Sequence, residues 1–235
     1  MTDFRAALAG DDGTLRTAVE AAGGAVVATD ADPDLVATFG ERALVDTALA
    51  DPTAPILPVA AGEGHHSVPK VDAAEVFAEV AAGEGWTVDH ATLGVEVGDG
   101  PTDRALLDAT LMTAEPARIS EYAVHAGGEA IDRFRSDGVV VATPTGSTGY
   151  ARAAGGSILA PGTGLSVVPV SPFATMADTW VVDDEAVLRV ERDDCDVRLI
   201  IDGEISGVVP PETDIRVAVD DRVPLLRVPL IGPPR

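Results

Sequence analysis

The spacing of apolar residues changes period along this chain, and that change constrains the fold more than any single motif. Through the first hundred residues, short apolar runs alternate with segments whose apolar positions recur at helical spacing. Residues 4–9 read as a strand, 10–14 as a turn, and 15–22 as a helix stopped by Gly23 and Gly24. Residues 25–29 and 35–39 read as strands; Gly40 follows at once, and 43–50 is a helix. Residues 56–60 form a further strand, and 73–82 a helix ending at Gly83. Strands alternating with helices imply βα units around a parallel sheet. Beyond about residue 110 the helical spacing fades. Runs such as 186–191 (AVLRVE), 197–202 (VRLIID) and 215–219 (IRVAV) alternate apolar with polar, as half-buried strands do. The turn GDGPTD at 98–103 places the boundary near residue 100. The expected architecture is α/β plus all-β: a Rossmann-like α/β domain over 1–100, then a β-rich, β-sandwich-like domain over 101–235.

Composition limits what such a chain does. Lys and Arg number 16 against 39 Asp and Glu, a net charge of −23, and Lys70 is the only lysine. With 46% hydrophobic residues the chain still buries a core rather than behaving as an acidic tail. Nucleic acid is an unsuitable partner, since few cations exist to displace condensed counterions. Anionic membrane surfaces are repelled as well. The acid is spread along the whole chain, with alanine and valine for bulk, which fits a halophile's solvated surface better than an anionic binding patch. A single cysteine, Cys195, excludes an intrachain disulfide and multi-cysteine metal sites. No signal peptide or membrane-spanning run is visible, so a cytoplasmic location is expected.

Several chemistries fail on inspection. Lys70 follows a proline and has no glycine-rich loop, so a Walker-type site is absent. No G-x-G-x-x-G follows the first strand. His65 and His66 are adjacent and therefore point apart, which reads as a solvated loop pair; His90 and His125 stand alone, and no metal ligand set is assigned. Ser147 lacks the glycine two residues before it that a nucleophile elbow needs, and every histidine precedes it. What remains is SDGVVVATPTGSTGYARAAGGSILAP, residues 136–161. Residues 139–142 read as a buried strand entering a loop rich in hydroxyls and glycine. Thr143, Thr145, Ser147 and Thr148 offer hydroxyls, Gly146 and Gly149 allow close backbone approach, and Tyr150 offers a face for stacking. The other reading is a turn whose hydroxyls cap a helix starting at Ala151. Composition leaves the two open.

The stretch FRSDGVVVATPTGSTGYARAAGGSILAP, 134–161, closely resembles the signature of the NAD kinase family, of the form RGDG, a hydrophobic run, TPTGSTAY and a GGP-x-x-P tail. DLVATFG at 34–40 and PILPVAAGEG at 55–64 resemble that family's DLVV-x-LGGDGT and PVLGVN-x-G segments, and LIIDGE at 199–204 resembles a DG element of its β domain. The resemblance implies an α/β and a β-rich domain with the nucleotide between them. It implies that Arg135 and Asp137 meet the dinucleotide, Arg135 being suited to a 2′-phosphate. Thr143, Thr145, Gly146, Ser147, Thr148, Gly149 and Tyr150 would hold its adenine and nicotinamide portions, and Asp108 a ribose hydroxyl. The implied reaction transfers the ATP γ-phosphoryl to the 2′-hydroxyl of NAD, giving NADP with Mg²⁺ or another divalent cation. A homo-dimer or homo-tetramer is implied too, with neighbouring subunits completing the pocket.

The departures are informative. The GGDGT loop aligns with Gly40, Glu41, Arg42, Ala43 and Leu44, so the aspartate credited with activating the 2′-hydroxyl becomes Arg42. A guanidinium does not accept that proton. The family's Asn–Glu pair aligns with Leu107 and Asp108, its PVLGVN asparagine with Ala60, and its final helix is barely represented after Pro229. GDDGTL at 10–15 differs from GGDGTL by one residue and would make Asp12 the base; yet the spacing to the PVLG-like segment fits Gly40, and a capped turn explains 10–14 as well. Two functions therefore stand: a kinase making NADP, or a non-catalytic NAD(P)-binding or regulatory paralogue.

Overall fold

The computed structural model describes residues 4–10, 13–62, 64, 66–115, 118–173, 177–192 and 195–229. Two compact units result, one of residues 1–90 with 222–235 and the other of 91–221.

The first unit carries the expected βα units. Strands β1 (Arg5–Ala9), β2 (Ala25–Val27), β3 (Leu35–Phe39) and β4 (Ile56–Val59) pair in parallel in the order β2-β1-β3-β4. Helices α1 (Thr14–Ala21), α2 (Glu41–Ala48) and α3 (Ala73–Ala81) connect or follow them. Successive strand residues face opposite ways, so Ala6, Leu35, Ala37, Leu57 and Val59 pack with Leu15 and Val19 of α1 and with Val76 and Phe77 of α3. Ala7 and Val36 face away and pack with Ala54. Burial on both faces explains why these strands read as continuous apolar runs.

The second unit is a two-sheet sandwich. Its strands are β5 (Trp86–Val97), β6 (Thr102–Ala105), β7 (Asp108–Thr113), β8 (Ser120–Ala126), β9 (Glu129–Ser136), β10 (Gly138–Ala142), β11 (Leu165–Val170), β12 (Trp180–Val182), β13 (Glu185–Arg192), β14 (Val197–Ile201), β15 (Glu204–Val209) and β16 (Asp214–Arg227). One sheet runs β12-β11-β10-β7-β14-β15, every pair antiparallel. The other contains β16-β13-β8-β9, also antiparallel. Inward residues of both sheets, among them Leu111, Val139, Val141, Leu188 and Val217, share one core. The only α-helix among the described residues here is α4 (Tyr150–Ala153).

The division falls at residues 90 and 91 rather than near 100. The glycines at 98 and 100 turn β5 into β6 as a hairpin, with Glu96 opposite Thr102. Long strands β5 and β16 each pass from one unit into the other, and a local pattern does not reveal which partners a strand finds along its length.

Candidate functional site

Strand β10 builds the site from beneath. It pairs with β7 on one side, Ala142 opposite Asp108, and with β11 on the other. Val139 and Val141 enter the sandwich core, whereas Val140 and Ala142 face outward and pack with Ala151 of α4, Val168 and Val170. The loop 143–149 is thus held at both ends.

Its hydroxyls turn inward. The Thr143 hydroxyl donates to the Leu106 carbonyl at 2.7 Å and accepts the Gly146 N–H at 3.1 Å, while the Thr143 N–H donates to Leu107 O at 2.9 Å. The Ser147 hydroxyl donates to Pro144 O at 2.7 Å and accepts the Leu159 N–H at 2.9 Å. Both side chains are fully buried, and Thr145 nearly so. Composition leaves these hydroxyls open to ligand contact or to a local structural role; those of Thr143 and Ser147 bond nearby carbonyls and amides, as buried hydroxyls must. Gly146 is also occupied by its own chain, since an added Cβ would lie 2.0 Å from the Leu107 oxygen. Thr148, partly buried, donates to Thr145 O at 3.2 Å; Gly149 and Tyr150 are exposed. The helix begins at Tyr150, one residue before the expected Ala151.

Three further sequence-derived residues lie in the same unit. Asp108 is buried at the start of β7, and its Oδ1 accepts the Thr110 hydroxyl at 3.0 Å. Asp137 links β9 to β10, its N–H donating to Val170 O at 3.0 Å and its carbonyl accepting the Thr113 N–H at 2.8 Å. Burial lifts the Tyr150 hydroxyl above the ordinary phenol range, and the charges of Asp108 and Asp137 push it the same way. That tyrosine, 41% exposed, therefore stands within electrostatic reach of both acids. Arg135 is exposed on β9, its guanidinium 5.8 Å from the centroid of the Phe173 ring.

Sequence reasoning missed Phe173 and Asp202. Phe173 is 73% exposed, and its N–H donates to Arg135 O at 2.8 Å; an aromatic after Ser171-Pro172 was the available signal. The Asp202 carboxylate accepts N–H bonds from Leu106 at 2.8 Å, Leu107 at 2.7 Å and Asp108 at 3.0 Å. Burial raises its carboxyl above the usual range, opposed by those same three N–H groups. The DG pair at 202–203 was its only sequence sign.

The first unit holds the other candidates. Gly40, at φ 89°, turns β3 straight into α2, and Arg42 lies in the first helical turn. The exposed Arg42 Nε donates to Asp46 Oδ2 at 3.0 Å across one turn. Both line a cleft of about 670 Å³ with Gly10, Phe39, Ala43 and Thr47 among its walls. Asp12 and His65 lie outside the described residues. His66 is not a solvated loop residue, nor is His90 alone. Both are buried, their ring centroids 6.3 Å apart and edge-on, and His66 Nε2 lies 3.1 Å from Ala61 O. Burial first, then the charges of His66 and Arg227, pull His90 down to about 3.

Residues 107–226 match the ATP-NAD kinase C-terminal domain. An NAD kinase of Methanosarcina barkeri is 36% identical over 157 residues, covering 66% of this chain and 54% of that protein. One from Methanothermobacter thermautotrophicus is 31% identical over 167 residues, covering 68% and 58%. The chain thus spans about half the length of these relatives. Among solved structures, yeast NADH kinase complexed with NADH superposes with a TM-score of 0.75 at 17% identity, over 96% of this chain and 84% of that one. An NAD kinase from Archaeoglobus fulgidus in complex with ATP gives 0.70 at 21%, over 97% and 95%. At these identities the two structures speak for the fold, an α/β part and a β-rich part.

Proposed function

Since the chain belongs to the ATP-NAD kinase family through its C-terminal domain, we propose that its β-rich unit binds NAD or NADP on the loop that follows β10. One observation carries the reading: Tyr150 is exposed at the end of a loop whose buried Thr143 and Ser147 hydroxyls are both hydrogen-bonded, and its phenol pKa is raised by burial and by the charges of Asp108 and Asp137. In this reading Tyr150 and Gly149 touch the ligand. Thr143, Thr145, Gly146 and Ser147 shape the loop from within, and Thr148 lies between the two groups. Asp108 and Asp137 accept from ribose hydroxyls or amides, and Arg135 meets a phosphate. Phe173 extends the apolar surface beside that arginine.

As a kinase, the protein transfers the ATP γ-phosphoryl to the 2′-hydroxyl of NAD. That chemistry depends on positioning and charge neutralisation. A divalent cation would enter mainly with the donor's phosphates. Among the described residues no three His, Cys, Asp or Glu side chains stand together to bind one unaided. A second reading, dinucleotide binding without transfer, is favoured by Arg42. The position of the family's acid carries a guanidinium that is already salt-bridged to Asp46 on the helix surface. We further propose a homo-dimer or homo-tetramer in the cytoplasm of a salt-adapted cell. The exposed Ile205 and Val208 on edge strand β15 and the net charge of −23 support that picture. No helix among the described residues is long and apolar enough to cross a membrane.

The deciding experiment incubates the protein with NAD, ATP and Mg²⁺ in concentrated KCl and measures NADP. Calorimetry with NAD and with NADP accompanies it, together with light scattering for the oligomer. Binding is expected in the wild type, weakened by about tenfold or more in Tyr150→Ala through loss of the stacking face. Absence of binding by either dinucleotide sinks the proposal. NADP formation would decide for the kinase, and binding without it for the paralogue.

A further inference from the structure

We infer that Asp202 is a positioning residue for the loop after β10, acting through the backbone of residues 106–108; the inference rests on that loop being the dinucleotide site. Asp202 tops the β14–β15 hairpin at φ 47°, with Gly203 at φ 82° completing the turn. Its carboxylate gathers the N–H groups of Leu106, Leu107 and Asp108, and its own N–H returns a bond to Asp108 O at 3.0 Å. The carbonyls of Leu106 and Leu107, unlike that of Asp108, serve the loop instead. Leu106 O and Leu107 O receive the Thr143 hydroxyl at 2.7 and 3.2 Å, and Leu107 O also receives the Thr143 N–H. Gly146 rests on that Leu107 carbonyl with no room for a side chain. Three residues therefore hold the acid through their N–H groups, and two of them, Leu106 and Leu107, hold the loop through their carbonyls. The Asp108 side chain leaves from the same short segment.

The choice of acid has a physical reason. Three converging N–H donors are shared between both carboxylate oxygens, whereas an amide offers one oxygen with two lone pairs and an NH₂ in place of the other. Asp202→Asn keeps the size but turns an NH₂ group toward a donor. At least one N–H of 106–108 then loses its partner in a buried place. The segment shifts or loosens, and the loop that hangs on its carbonyls follows.

The test uses the full-length protein in concentrated KCl and needs no ligand for its first half. Hydrogen–deuterium exchange in Asp202→Asn is expected to speed up at residues 106–108 and also at 143–150, which Asp202 does not touch. Calorimetry is then expected to show NADP binding weakened by about tenfold or more at a temperature where the variant is fully folded. A merely structural anchor would lower the melting temperature and leave both the exchange of 143–150 and the affinity of the folded fraction within twofold; that result overturns the inference. If Asp202→Asn does not fold, Thr143→Val cuts the same chain of contacts from the loop side. Faster exchange at 143–150 with protection kept at 106–108 then supports the coupling, and unchanged loop exchange overturns it. A wild type that binds no dinucleotide defeats the functional reading, while the exchange data still decide whether Asp202 holds the loop.

Discussion

Two of the junctions that lead from a strand into a helix, those after β10 and after β3, are built in opposite ways. After β10, seven residues separate Ala142 from α4, and Thr143 and Ser147 among them are fully buried with both hydroxyls engaged by backbone groups. After β3, a single glycine at φ 89° separates Phe39 from α2, and the residue of chemical interest, Arg42, points outward to Asp46. The first loop's shape is written into its packing, so losing one side chain there disturbs the fold. The second presents one exposed side chain, which a sequence can exchange at almost no cost in stability. A chain can thus fix one loop by its packing while an exposed position elsewhere stays free to vary.

The strongest challenge to this contrast is Gly146→Ala. A Cβ there would lie 2.0 Å from the oxygen and 2.4 Å from the carbon of Leu107, both backbone atoms that a rotamer change does not move. We expect a loss of about 3 kcal/mol or more, seen as a drop of several degrees in melting temperature. A loss below about 1 kcal/mol would mean that the loop has slack, and the contrast between the junctions would fail.

Acid challenges the first unit next. The unfolded chain protonates a histidine near 6.5, whereas folded His90 resists until about 3, chiefly through burial. Between those values the unfolded state holds a proton that the folded state lacks, so stability rises with pH. It is complete above 6.5 and falls by about 1.4 kcal/mol per unit below, roughly 2 kcal/mol at about pH 5. Urea titrations of wild type and His90→Gln would show this as a slope present in the first and flattened in the second. Equal slopes would place the acid sensitivity elsewhere.

Local pattern made much of the fold legible. The β-branched run 139–141 announced β10, alternation announced β13 and β14, and the helices of the first unit fell within a few residues of their expected bounds. What stayed hidden depends on distant partners. The inward turn of Thr143 is fixed by carbonyls 36 and 37 residues earlier, and Asp202 reaches back 94 to 96 residues. His66 meets His90, 24 residues on in β5, at 6.3 Å between ring centroids. Hydroxyls in a sequence read equally well as ligand contacts or as internal props; burial decides, and burial is a property of the fold. Tyr150, exposed as a stacking face must be, is the candidate whose surroundings depend least on distant partners.

The smallest effect is expected at Arg42, and it bears on the contrast most directly. Its ion pair with Asp46 is exposed on both sides, at 64% and 58%, so Arg42→Ala is expected to move stability by no more than about 0.5 kcal/mol. Arg42→Asp installs the acid that the proposed correspondence with the GGDGT loop assigns to this position, at a cost of a few tenths of a kcal/mol from the like charge one turn away. Identity alone does not rebuild the site. Helix α2 begins at Glu41, directly after Gly40, so an acid at 42 would sit on a helical turn rather than in a glycine loop free to wrap a phosphate. We therefore expect no gain of NADP formation in Arg42→Asp, measured beside the wild type with NAD, ATP and Mg²⁺. A gain would show that the junction after β3 lost one side chain and kept its shape, making the two junctions more alike than their packing suggests.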